Sequence, residues 1–239
     1  MIPPTYDGIM PSISSGNAPL DQLLGGGFEQ HKTTIFVGEP GNGKTTLALQ
    51  FIVNPSYYHT PCAYVCIDKK PERLVENALA MNHTVQDQIN AQTLTFLEVS
   101  LHGWAPSDTI SDLLRTIQSQ LEALVQHTPV SHVIVDSLLP SVLYSARLDQ
   151  KQYFIREFLA LIATFNATTI GILYDASICQ TLWLDSHMIH DQLLFHRTSN
   201  LDYTTYWVEI SKNNRQNLTG HYRFTFDGNH GICLKHRIC

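Results

Sequence analysis

Residues 38–45 read Gly38-Glu39-Pro40-Gly41-Asn42-Gly43-Lys44-Thr45, with two glycines bracketing four residues and a Lys-Thr pair following. This spacing suits the binding of a phosphate chain. Gly41 and Gly43 let the backbone turn with its N–H groups inward, and a helix starting where the loop ends adds the positive end of its dipole. Lys44 can then neutralise β- and γ-phosphates, while the Thr45 hydroxyl can take one coordination position of Mg²⁺. The candidate ATP contacts are therefore Gly38, Glu39, Pro40, Gly41, Asn42, Gly43, Lys44, Thr45 and Thr46, the last expected to cap or pack. An ordinary glycine-rich turn before a helix would explain neither the Lys-Thr pair nor its spacing.

A magnesium site also needs a carboxylate, held to the metal through water. The run His132-Val-Ile-Val-Asp136-Ser137 carries one at the tip of an apolar stretch, so Asp136 is the expected metal carboxylate. The competing reading is a strand-ending Asp that caps the next turn. None of the 12 histidines forms an i, i+4 pair with an intervening Glu, and none is assigned a catalytic role. The five cysteines, at 62, 66, 179, 233 and 239, follow no disulfide framework and read as reduced cytosolic thiols. Cys62 and Cys66 lie four apart on one apolar run, too distant along a strand to share a metal ion.

The elements that position these residues alternate between short apolar runs and longer helical patterns, the mark of an α/β fold with a mostly parallel sheet. Residues 33–37, 63–67, 93–98, 133–136 and 168–174 suit buried strands. Residues 45–53, 72–81, 108–127 and 151–166 carry apolar side chains at three-and-four spacing and suit covering helices, with Ser107 a candidate N-cap. After Asp191 the pattern changes to strand-like pieces at 193–197, 203–211, 222–226 and 231–234, separated by Asn and Gly, so the sheet should end in antiparallel strands.

The 239 residues suffice for one substantial core, and no repeat or linker marks a second domain. A formal charge of −6 is opposite to the basic stripe that accompanies non-specific phosphate-backbone binding, so nucleic acid is not favoured. No stretch approaches the roughly 20 apolar residues of a membrane-spanning helix. With 44% hydrophobic and only 15% charged residues, some surface is expected to face a partner.

The stretch Ile13-Ser-Ser-Gly-Asn-Ala-Pro-Leu-Asp-Gln-Leu-Leu-Gly-Gly-Gly27, running through the loop to Phe51, resembles the opening of the KaiC and RadA branch of RecA-like ATPases. The resemblance implies one RecA-like core over 1–239, with 1–12 a flexible N-terminal segment. It further implies ATP with Mg²⁺, a cytoplasmic location, and homo-oligomeric rings or filaments with ATP between subunits. Relatives place an acidic pair after the second strand, the first acid polarising the attacking water. The corresponding residues are Asp68, one methylene shorter than the usual Glu, and Lys69, a cation where the second acid would stand. Asp68 is the candidate general base, and a helix-entry cap before Pro71 is its alternative role. Misplacement by about 1 Å can cost on the order of a hundredfold in rate, so weak turnover and binding without turnover both stay open.

The family often places Lys and Arg two apart on a late strand, reaching a neighbour's ATP. Here Lys212 and Arg215 are three apart and can act together only in a loop or bulge. Lys212 is the better candidate for a finger across subunits. Asp175 and Ser177 are candidates for sensing the γ-phosphate. Three functions follow: a slow ATPase whose nucleotide controls assembly or a partner interface, a nucleic-acid-dependent motor, and a scaffold that binds ATP without hydrolysing it.

Overall fold

In the strands of the central sheet, alternate residues serve opposite faces, and the apolar runs are buried on both. The computed structural model describes residues 11–105, 108–127, 130–175, 178, 188–200, 203–213, 220–227 and 231–238. Its first strands, β1 (Ser12–Ile13) and β2 (Phe28–Glu29), form a small antiparallel pair. The main sheet contains β3 (Thr33–Val37), β4 (Cys62–Ile67), β5 (Leu94–Val99), β6 (His132–Asp136), β7 (Thr168–Leu173) and β8 (Asp191–Ser199), all mutually parallel in the order β8-β3-β7-β6-β4-β5. Beyond β8, the strands β9 (Thr204–Asn213), β10 (Gly220–Asp227) and β11 (Gly231–Ile238) extend the sheet antiparallel.

Phe36 and Ile134 face one core layer, and their neighbours Ile35, Val37, Val133 and Val135 face the other. The first layer is closed by α2 (Lys44–Ile52), α3 (Glu72–Met81) and α4 (Val85–Asn90), with Leu47, Phe51, Ala78 and Val85 buried in it. The second is closed by α5 (Ile110–His127) and α6 (Leu148–Ala163), through Leu113, Ile117, Phe154 and Phe158. Cys62 and Cys66 are buried free thiols on β4, and burial pushes both up to about 12.

The parallel core, its helices on both faces and the antiparallel ending match the fold read from periodicity. Helix α6 starts three residues earlier than that reading, because the Arg147 N–H donates to Gln150 Oε1 at 3.1 Å. The chain is ordered ahead of residue 13 as well: the Pro11 carbonyl accepts the Gln30 N–H, and Ser12 pairs with Glu29. Residues 1–10 and Ser107 lie outside the described residues. The short helix α1 (Ala18–Leu23), capped by Asn17 Oδ1 on the Leu20 N–H, was not legible as a separate element.

Candidate functional site

Strand β3 delivers the chain into the glycine loop, and the loop delivers it into α2. Gly38 adopts φ 146° with its Cα against β8, where a Cβ would collide with the Phe195 carbonyl oxygen. Asn42 Nδ2 donates to that same carbonyl at 3.0 Å, tying the loop to the sheet. Gly43 is the left-handed N-cap of α2, at φ 94°, and a Cβ there would press on Ile232, Phe224 and Phe226 at 3.0–3.2 Å. Both glycines are thus required by positive φ and by close approach.

Lys44 is buried and folded back over its own loop, donating to the carbonyls of Gly38 at 2.6 Å and Glu39 at 2.7 Å. Its Nζ lies 4.4 Å from the Tyr174 ring centroid. Burial lowers its pKa to about 8, with Asp136 and Glu39 opposing and Lys69 adding to the shift.

Asp136 ends β6 with a side chain only 3% exposed, and four protein donors converge on it. Lys69 Nζ and the Tyr174 hydroxyl both lie 2.9 Å from Oδ1. The Tyr64 hydroxyl donates to Oδ2 at 3.1 Å, and Thr45 Oγ1 to Oδ2 at 3.3 Å. Burial, then the Asp136 charge, raises the pKa of both tyrosines, so each stays a neutral O–H donor. For Lys69 burial disfavours the ammonium, but the Asp136 charge and the bonds to Asp136 and Tyr174 outweigh it, and its pKa is raised. Its Nζ also sits 4.3 Å from the Tyr174 ring centroid, so one ring carries two cations.

Above this floor opens a cavity of about 400 Å³, with Lys44, Thr45, Thr46 and Lys69 on its polar side and Tyr144, Tyr174 and Phe226 among its aromatic lining. Pro40, Gly41 and Gly43 also line it, and no carboxylate appears in the described lining. The structure therefore brings Lys44, Thr45 and Asp136 together, as their motifs suggest. Asp68 is placed elsewhere: it has φ 55° just beyond β4, is exposed, and accepts a 2.7 Å bond from Ser141 Oγ. Asp175 pairs with Lys151 at 3.3 Å, and Ser177 lies outside the described residues. Lys212 stands in β9 opposite Gln192, next to a register shift that leaves Ser211 as a bulge. Arg215 lies outside the described residues.

Sequence reasoning gave Tyr64, Tyr144, Phe226 and the Tyr174 side chain no role, and it assigned Lys69 only as a missing acid. Tyr64 carried a usable signal, because it lies two residues from Cys66, which stands opposite Asp136 in the β4–β6 register.

Comparison with known proteins bears on the family and the fold. The family model for the KaiC ATPase matches residues 13–179. The circadian clock oscillator protein KaiC of Thermostichus vulcanus is 32% identical over 81 residues, 34% of this chain and 16% of that protein. The DNA repair protein RadA of Pseudomonas aeruginosa is 29% identical over 89 residues, 37% of this chain and 19% of that protein. The chain thus spans less than a fifth of the length of these curated relatives. Among solved structures, a KaiC-like protein from the hyperthermophilic archaeon Pyrococcus horikoshii OT3 superposes with a TM-score of 0.74 at 16% identity, over 95% of this chain and 100% of the other.

Proposed function

The chain belongs to the KaiC family of ATPases, and from that premise we propose that it binds ATP in the cavity above residues 38–46, turns it over slowly, and uses the bound state to control self-assembly or a partner interface. The observation that carries this reading is the pair of ammonium groups, Lys44 and Lys69, lining a cavity whose described walls hold no carboxylate. A triphosphate entering it meets the N-terminus of α2 and two cations. Lys44 must exchange the Gly38 and Glu39 carbonyls for phosphate oxygens, which are stronger partners because they are charged. Phe226, Tyr144 and Tyr174 give the cavity aromatic walls.

Relatives of this kind imply Mg²⁺, and Thr45 with Asp136 would hold it. The donor set does not fit that ion as it stands, since a carboxylate offers about four lone-pair positions and Lys69 Nζ, the Tyr174 hydroxyl and the Tyr64 hydroxyl take three of them, one with a full positive charge. No chemical step is therefore routed through the metal.

Asp68, the expected base, is engaged by Ser141 outside the cavity lining, and this favours a second reading in which ATP is bound and not hydrolysed. Lys212 is the proposed finger to a neighbouring subunit, supported by its place beside the bulge at Ser211. Titration with labelled ATP tests the common core of both readings: Lys44→Ala should weaken binding roughly ten- to a hundredfold, the loss of a charge-assisted contact of about 1.5 to 3 kcal/mol. Unchanged affinity would refute the phosphate site. Phosphate release, followed with the oligomer mass, separates slow turnover from none.

A further inference from the structure

We infer that the Lys69 ammonium is a tethered counter-cation that occupies the Asp136 carboxylate in place of a divalent metal, so that a nucleoside triphosphate binds this cavity without requiring Mg²⁺. The nucleotide part rests on the reading of the cavity as a triphosphate site; the Lys69–Asp136 part does not.

The geometry at Asp136 carries the inference. A metal-site carboxylate in a phosphate pocket must keep an oxygen open toward the metal or its water shell, because Mg²⁺ demands near-ideal octahedral geometry and keeps several waters. Here Oδ1 is shared by Lys69 Nζ and the Tyr174 hydroxyl, and Oδ2 by the Tyr64 and Thr45 hydroxyls. Tyr64 is fully buried and outside the cavity lining, whereas Thr45, Lys69 and Tyr174 line the cavity, so the carboxylate is held from the core as well as from the cavity side. Lys69 enters from the rim, with its side chain 41% exposed, and reaches a carboxylate that is 3% exposed. It delivers a full positive charge to the buried acid that accepts from Thr45.

The remaining fixed charge points the same way. Lys44 and Lys69 flank a single ring, 4.4 and 4.3 Å from the Tyr174 centroid, and both line the cavity. A divalent ion bound at Thr45 would meet two ammonium groups and a carboxylate already neutralised. A polyanion meets the same two ammonium groups as ligands. In charge terms the lysine cancels the Asp136 carboxylate, which would otherwise repel the triphosphate beside the threonine at the head of α2, and leaves Lys44 as the uncompensated cation. Met in place of Lys69 would keep the apolar stem, remove the cation and leave Asp136 bare toward the phosphates.

Two measurements test this with the whole chain. In the first, affinity for labelled ATP is compared in excess EDTA and in saturating Mg²⁺. The parent protein should show Kd values within roughly threefold of each other, whereas Lys69→Met and Lys69→Glu should bind at least about tenfold more tightly with Mg²⁺ than without. A parent protein that needs Mg²⁺ as much as Lys69→Met does would overturn the inference. The second measurement uses no nucleotide: the rate of acylation of Lys69 is read by mass spectrometry against its exposed neighbour Lys70. Lys69 should react more slowly than Lys70, and millimolar Mg²⁺ should leave the ratio unchanged, because the metal does not displace the ammonium. Acceleration of Lys69 by Mg²⁺ would show that the carboxylate prefers the metal and would sink the proposal. If ATP binds under neither condition, the triphosphate reading fails and the metal-free nucleotide binding with it, while the labelling ratio still decides whether Lys69 holds Asp136 against the metal.

Discussion

Replacing Lys44 with Met should raise the stability of the ligand-free protein while lowering its affinity for ATP. The buried ammonium has its pKa lowered from the ordinary 10.5 to about 8. At about 1.4 kcal/mol for each tenfold step in proton binding, holding the charge there costs roughly 3 kcal/mol at neutral pH. Met keeps most of the stem and removes the charge, but it also removes the donors to the Gly38 and Glu39 carbonyls, worth about 1 kcal/mol each. A gain of about 1 kcal/mol remains, or roughly 2 to 4 °C in Tm for a chain of this size. The sign with pH is fixed. The folded pKa lies below the unfolded one, so the folded chain binds fewer protons between about 8 and 10.5, and the parent's stability rises across that window. Denaturant unfolding at a series of pH values should therefore show Lys44→Met ahead below about 8 and its lead shrinking above. If Lys44→Met unfolds more easily than the parent at pH 7, or if its lead does not shrink with pH, the burial argument is wrong.

ATP affinity of the parent should hold steady below about pH 8 and fall above it as the free protein loses the Lys44 proton, and titrations across this range should find no such fall in Lys44→Met. Tyr174→Phe removes one donor to Asp136 but keeps the ring under both lysines; chemical denaturation should report a loss of about 1.5 to 3 kcal/mol, with ATP affinity within roughly threefold of the parent. Gly171→Ala places a Cβ 2.5 Å from Leu138 Cδ1 in the core, and thermal melts should show a destabilisation of about 1 to 3 kcal/mol.

Much of the fold was legible because the parallel strands are short, buried on both faces and separated by long amphipathic helices. Thr33–Val37 and Glu72–Met81 were read with their observed ends. The elements that escaped are short: β1 and β2 have two residues each, and α1 and α4 have six, too few for a period to show. The loop from Gly38 to Thr45 was legible because its work is done by backbone and by adjacent residues. The Asp136 cluster was not, since Thr45 comes from the start of α2, Tyr64 and Lys69 from β4 and the turn after it, and Tyr174 from the end of β7, and only the strand order makes them neighbours.

The exchange between Asp68 and Lys69 shows how chain order misleads when the backbone turns. Asp68 continues the β4 ladder, its N–H bonded to the Val99 carbonyl at 2.9 Å. Its left-handed φ of 55° then redirects the chain. Two consecutive side chains consequently leave in different directions, Asp68 toward Ser141 and Lys69 toward Asp136. Reading by order gave the pocket an acid. The fold instead gives it a cation, paired with Asp136, and the change of sign has two consequences at once. On the proposed reading the cavity would gain attraction for a polyphosphate and would lack the carboxylate that accepts a proton from attacking water. In the proposed function, tight binding and slow turnover are then two expected results of one lysine at the end of one strand.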